Sequence, residues 1–235
     1  MSGGNAQKVY ADESYYHIYN RGVEKRTIFL DEQDYGVFLG YLKQYLLPKD
    51  DVGLRILLSD PKTSSREKDN LLKLIRLNNF NSEIKLVAYC LMTNHFHFLI
   101  YQNHGNSVDR FMNSLGTRYT QYFNKKYRRV GALCQGVYKA IMVNSDAQLL
   151  ELSRYIHKQA LPILRTPGLA WERRDSQPCS YPEYVGQRKS DWVHPEEILK
   201  FFSRTNPKLS YESFVTQTDD LSLIGKLIVE DPYEI

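Results

Sequence analysis

Two histidines, His95 and His97, stand one residue apart at the head of an apolar run that continues through Phe98, Leu99 and Ile100. In an extended chain side chains alternate faces and rise ~3.3 Å per residue, so the two imidazoles share a face, about 7 Å apart at their backbones. Phe96, Phe98 and Ile100 then point the other way, into a core. Two imidazoles so placed can converge on one metal ion; the same pattern also suits two polar residues on the solvated face of a sheet. Downstream, Tyr155 and Gln159 lie four apart in a helical pattern, neighbours on one side of a helix. A tyrosine and an amide pressed toward two histidines are the parts of a metal-assisted phosphoryl-transfer site. His95, His97 and the Gln159 carbonyl would hold a divalent ion, which acts as a Lewis acid and orients the scissile group. Tyr155 would attack phosphorus, and the 3′-hydroxyl of the neighbouring nucleotide would leave. Forming the phenolate at pH 7 from a reference pKa of ~10 costs about 4 kcal/mol, which a dication and nearby basic side chains offset in part. Phosphotyrosine stores the bond energy, so a strand can be rejoined without ATP.

The rest of the chain must position these groups. Its 235 residues suffice for one good-sized domain, or one with a small appendage. With 42% hydrophobic and 25% charged residues it has the composition of a soluble globular protein. No apolar run is long enough to span a bilayer, and Met1 to Gln7 is polar, so neither a membrane nor a secretory signal is expected. Cys90, Cys134 and Cys179 show no disulfide or metal spacing, which points to the cytoplasm. The net charge of +4 conceals an asymmetry. Acids dominate from Asp191 onward, whereas no acid lies between Asp109 and Asp146. That stretch carries Arg110, Arg118, Lys125, Lys126, Arg128, Arg129 and Lys139. A field of that sign favours a polyanion such as nucleic acid.

The pattern predicts a strand over Tyr15 to Asn20, closed by Arg21-Gly22. Asp31 then caps a helix with Tyr35, Phe38, Leu39, Leu42 and Leu46 on one stripe, which Pro48 stops. Residues 49–82 look like a polar insertion with one short helix near Leu71 to Leu77. Lys85 to Met92 and the histidine strand form a hairpin around Thr93-Asn94. Ser107 opens a second helix, its tyrosines on the apolar stripe and therefore core residues, and Val137 to Val143 forms a fourth strand. Strand–helix–strand–strand–helix–strand is the order of the ferredoxin-like fold. A third helix, opened by the capping box Ser145-x-x-Gln148 and stopped at Pro162, carries Tyr155 and covers the sheet face that the other two leave open. The fold class expected is α+β: a ferredoxin-like antiparallel sheet with two helices on one face, a tyrosine-bearing helix on the other, and a mostly helical C-terminal extension.

The segments Tyr16-His17-Ile18-Tyr19-Asn20-Arg21-Gly22, Met92-Thr93-Asn94-His95-Phe96-His97, residues 131–139, Tyr155-Ile156-His157-Lys158-Gln159 and, more loosely, residues 179–186 resemble, in order, those of HUH single-tyrosine transposases. The nearest group is the REP-associated tyrosine transposases, within the IS200-like superfamily. The resemblance implies that His95 and His97 are the metal pair, Tyr155 the nucleophile and Gln159 the third ligand. It also implies Mg²⁺ or Mn²⁺, a 5′-phosphotyrosine intermediate, and single-stranded DNA hairpins from repeat-associated palindromes as the partner, cut by a monomer or homodimer. Where the REP-associated group usually has Asn-Pro, this chain has Gln159-Ala160; glutamine keeps an amide oxygen for the metal. Val137 replaces a commonly basic residue.

Asn20, Arg21, Arg118, Lys125, Lys126, Arg128, Arg129 and Lys139 are the expected DNA contacts. His17 is divided between an active-site role and packing, and Glu151 between orienting the phenol and, the favoured reading, pairing with a nearby basic residue. His157 suits a structural hydrogen bond. The expected organisation is a catalytic domain over 8–165 and an arm with an acidic helical extension over 166–235. Other readings remain: a rolling-circle-type nickase, a domesticated hairpin-binding protein, or a metalloenzyme that does not act on nucleic acid.

Overall fold

A computed structural model describes residues 10–160, 177–218 and 220–228. Four strands form one antiparallel sheet: β1 (Ser14–Arg21), β2 (Ile84–Leu91), β3 (His95–Gln102) and β4 (Lys139–Val143), in the spatial order β2-β3-β1-β4. With α1 (Glu32–Leu46) after β1 and α4 (Ser107–Lys126) after β3, this is the ferredoxin-like arrangement expected.

Side-chain parity divides the core in two. Tyr16, Ile18, Phe96, Phe98 and Ile100 pack with Phe38 and Leu42 of α1 and Phe111, Leu115 and Tyr119 of α4. The other face is covered by α5 (Asp146–Ala160). There Leu99 and Cys90 meet Leu149, Leu152, Tyr155 and Ile156, together with Tyr184, Ile198, Tyr211, Val215, Ile224 and Leu227 from beyond residue 177. A register shift in β2 between Leu86 and Ala88 puts adjacent Val87 and Ala88 into this second cluster, as a bulge does.

The helix starts follow their caps. The Asp31 carboxylate accepts from the Asp34 N–H at 3.0 Å and opens α1. At its far end Leu47, preceding Pro48, is extended (φ −84°, ψ 151°), the conformation a following proline imposes. For α5, Gln148 N–H donates to Ser145 Oγ at 3.2 Å, while Gln148 Oε1 accepts from Asn144 N–H at 2.9 Å, one residue earlier than a capping box requires. The expected stop at Pro162 and the arm over residues 165–176 lie outside the described residues.

The insertion differs from expectation. It holds two helices rather than one, α2 (Asp51–Ser59) and α3 (Ser65–Arg76). The Asp50 carboxylate caps the first and a Ser64/Glu67 capping box opens the second. The first is short, nine residues, and its apolar residues Val52, Ile56 and Leu57 are exposed. No helix among the described residues is long and apolar enough to cross a membrane.

Candidate active site

The strand that carries His95 and His97 pairs with β1 in a register that sets Tyr19 opposite His97 and Arg21 opposite His95. Alternation then places His17, Tyr19 and Arg21 on the same face as the two histidines. Lys139, opposite Tyr19 on the other side, joins them. α5 lies over this face and delivers Tyr155, whose ring stands edge-on to His97 with centroids 5.6 Å apart, and 6.4 Å from His17. The His95 and His97 rings are 5.0 Å apart and nearly perpendicular. Gln159 is one turn beyond Tyr155 on the same helix and half-buried.

Burial decides the protonation of the inner rings. His17 is fully buried and His97 is 7% exposed. Burial lowers the His17 pKa to about 4, partly opposed by its bond to the Leu227 carbonyl. It holds His97 well below the usual imidazole value, helped by repulsion from His17, His95 and Arg21. Both are neutral at pH 7. A chain of hydrogen bonds joins them: His17 Nδ1 lies 2.7 Å from the Leu227 carbonyl, and His17 Nε2 lies 2.9 Å from His97 Nδ1. At the rim His95 Nδ1–H donates to Asn94 Oδ1 at 2.6 Å. In each of His95 and His97 the Nδ1 atom is thus engaged in a hydrogen bond.

A divalent ion fits this donor set. The side chains available on this face are two imidazoles and, one turn beyond Tyr155 on α5, the Gln159 amide, whose oxygen is a donor type that such an ion accepts. Two imidazoles and one amide leave coordination positions for phosphate and water oxygens.

The other expected residues are spread over the molecule. Arg21 and Lys139 share the histidine face. Asn20 points through the opposite face and lines a cavity of about 390 Å³ with Phe96, Met112, Thr117 and Tyr138; its Oδ1 accepts from the Arg21 N–H at 2.9 Å. Arg118, Lys125, Lys126, Arg128 and Arg129 lie on α4 or just past its end, on the sheet side away from Tyr155. Lys125 and Arg128 are exposed. The Arg118 guanidinium lies 3.8 Å over the Tyr41 ring. Arg129 donates to Asn124 Oδ1 at 2.8 Å. Lys126 is bonded to Asp31 and to the buried Asp34, both at 2.7 Å.

On α5, Glu151 forms a buried ion pair with Arg154, the pairing expected of it. His157 bonds Tyr211 Oη at 2.7 Å and Ser180 Oγ at 2.8 Å, tying α5 to the segment past residue 177. Lys158 donates to the Gln217 carbonyl at 2.7 Å. The Leu227 carbonyl carried no signal in sequence, since it is a backbone group 210 residues from its partner. His17 did carry one: its parity with Tyr19 and Arg21 put it on the histidine face.

A ferredoxin-like sheet with paired imidazoles under a helix-borne tyrosine is the geometry that the motifs anticipated. Residues 62–159 match the model of the family described as transposase, IS200-like, a span that holds His95, His97, Tyr155 and Gln159. The family resemblance drawn from the motifs is borne out over this span. No curated protein matches the chain. A solved structure of a REP-associated tyrosine transposase bound to a REP hairpin is similar at 10% identity. The similarity covers 89% of this chain and 97% of that one, with a TM-score of 0.45.

Proposed function

We propose that the protein is a metal-dependent endonuclease and strand-transferase for single-stranded DNA hairpins, working through a 5′-phosphotyrosine. The observation that carries the proposal is the edge contact of Tyr155 with His97, on the face that also holds His95. The transposase family match over 62–159 supports the reaction class.

Each residue has a task. His95 Nε2, His97 Nε2 and the Gln159 carbonyl would hold Mg²⁺ or Mn²⁺, which when bound supplies Lewis-acid polarisation of the scissile phosphate. Tyr155 Oη forms a bond to phosphorus as the P–O3′ bond breaks. The proton lost by the phenol is balanced by the one the departing 3′ oxygen gains. Because Tyr155 is only 8% exposed and packed against imidazole, its ring is held in place, which lowers the entropic cost of attack. Arg21 and Lys139 on the same face favour the approach of the phosphate backbone. The phosphotyrosine then transfers its strand to another 3′ hydroxyl by the reverse step.

The test is covalent. Labelled single-stranded hairpins incubated with the protein and Mn²⁺ or Mg²⁺ should give an adduct that survives denaturation. Tyr155→Phe should abolish it, and His95→Ala should do the same while hairpin binding persists. An adduct that survives in Tyr155→Phe means that another residue is the nucleophile. Tight binding with no adduct across many hairpins favours a hairpin-binding protein without chemistry.

A further inference from the structure

We propose that His17 is a positioning residue that fixes His97 in its metal-binding tautomer, and that the carbonyl of Leu227 supplies the reference for that choice. The inference rests on the metal centre proposed above. Its starting point is an acceptor with no freedom: a backbone carbonyl cannot donate, so His17 Nδ1, 2.7 Å from the Leu227 oxygen, must carry a proton. His17 is wholly enclosed, so a second proton on the ring would place a charge where no carboxylate is bonded to it. His17 Nε2 is therefore the acceptor in the 2.9 Å bond to His97, and His97 Nδ1 is the donor. In the neutral ring that leaves the lone pair on His97 Nε2. One carbonyl thus decides, through two rings, which nitrogen of His97 can ligate. The His17 and His97 rings are nearly coplanar, at 16°, as an in-plane bond between them requires, and the Tyr19 ring beside His97 lies at 28° to it, which restrains the ring plane as well. Hydrogen bonds of this kind behind a ligating histidine set its orientation and tautomer, and their loss typically weakens metal binding about 10–100-fold.

The source of that carbonyl is the further point. Both β1, which carries His17, and Leu227 lie outside the 62–159 family match. The ligand geometry of a site within the matched span is therefore set from two segments beyond it, and the residues past 177 act on the centre without contributing a ligand.

The experiment reads tautomers and Mn²⁺ affinity on the full chain without DNA. Long-range proton–nitrogen correlation spectra of histidine-labelled protein should show both His17 and His97 protonated at Nδ1. In His17→Phe, His97 should lose that single tautomer and Mn²⁺ affinity should fall about 10–100-fold. His17→Gln, whose amide can accept from His97 and donate to Leu227, should retain the His97 tautomer and bind Mn²⁺ within a few-fold of the unaltered protein. His97 found protonated at Nε2 in the unaltered protein overturns the proposal, as does a folded His17→Phe that binds Mn²⁺ normally. If His17→Phe fails to fold, the unaltered spectrum and the glutamine variant decide between these outcomes. An unaltered protein that shows the expected tautomers yet forms no adduct with any hairpin removes the proposed function and leaves the role of His17 in ordering the His97 ring intact.

Discussion

The Tyr155 ring meets His97 at 87°, with 5.6 Å between centroids, so the two rings pack perpendicular to each other rather than face to face. The ring supplies this aromatic contact, and phenylalanine would retain it. Tyr155→Phe should therefore keep the packing, shift stability by no more than about 1 kcal/mol, and reduce covalent capture of hairpin DNA below detection. A large drop in melting temperature would mean that the hydroxyl is a structural group.

Asn94 holds the outer histidine as His17 holds the inner one, through its Oδ1 at 2.6 Å from His95 Nδ1. Asn94→Ala should leave His95 able to turn, and Mn²⁺ affinity measured by calorimetry should fall toward the lower end of the roughly 10–100-fold range. Asn94→Asp should preserve it. Unchanged affinity in the alanine variant would show that His95 is oriented by other contacts.

The two neighbouring lysines at the end of α4 should separate in their effects. Lys125 is exposed, whereas Lys126 neutralises Asp31 and the buried Asp34. Lys125→Ala should weaken hairpin binding and lower the slope of log affinity against log salt by about one, with melting unchanged. Lys126→Met should lower the melting temperature by leaving the Asp34 carboxylate without its cation. Equal effects of both on the salt slope would contradict this division.

Acid should loosen the fold before any carboxylate titrates. Burial lowers the pKa of His17 to about 4 and that of His157 to about 3. The unfolded chain takes up these protons near the ordinary value of ~6.5, while the folded chain does not. The stabilisation is thus complete above about pH 6.5 and declines as pH falls toward the folded values. At about pH 5 each ring should cost about 2 kcal/mol. A melting temperature that is flat between pH 7 and 5 would show that these rings are not held neutral.

Phe98 is fully buried in the first core, against Phe38 and Phe96. Phe98→Ala should cost about 3–5 kcal/mol by chemical denaturation. A loss below about 1 kcal/mol would mean that the site collapses around the missing ring.

Much of this was legible in the sequence because it is local or periodic. Alternation along β3 gave the shared face of His95 and His97, and three-and-four spacing gave α1, α4 and α5 with their Asp31 and Ser145 starts. What was not legible is what depends on distance or lacks a periodic mark. The helix over Asp51–Ser59 was missed because nine residues inside a charged and polar segment are too few for a period to stand out. The bulge at Val87 was missed because an uninterrupted apolar run has no alternation to break. Leu227 could not be found at all, since any residue offers the same carbonyl.

The separation of His17 from Leu227 also has a temporal side. The two groups that meet in one hydrogen bond are 210 residues apart. A ribosome adding ~5–20 residues per second needs roughly 10–40 s to travel between them. Only for the last roughly 3–13 s of that interval, once α5 is complete, can β1, the hairpin and α5 have come together, and the imidazole pair then still has no carbonyl to settle on. A nascent chain therefore passes through a period in which the scaffold exists and its innermost polar contact does not, so the centre can become ordered only after Leu227 has been made.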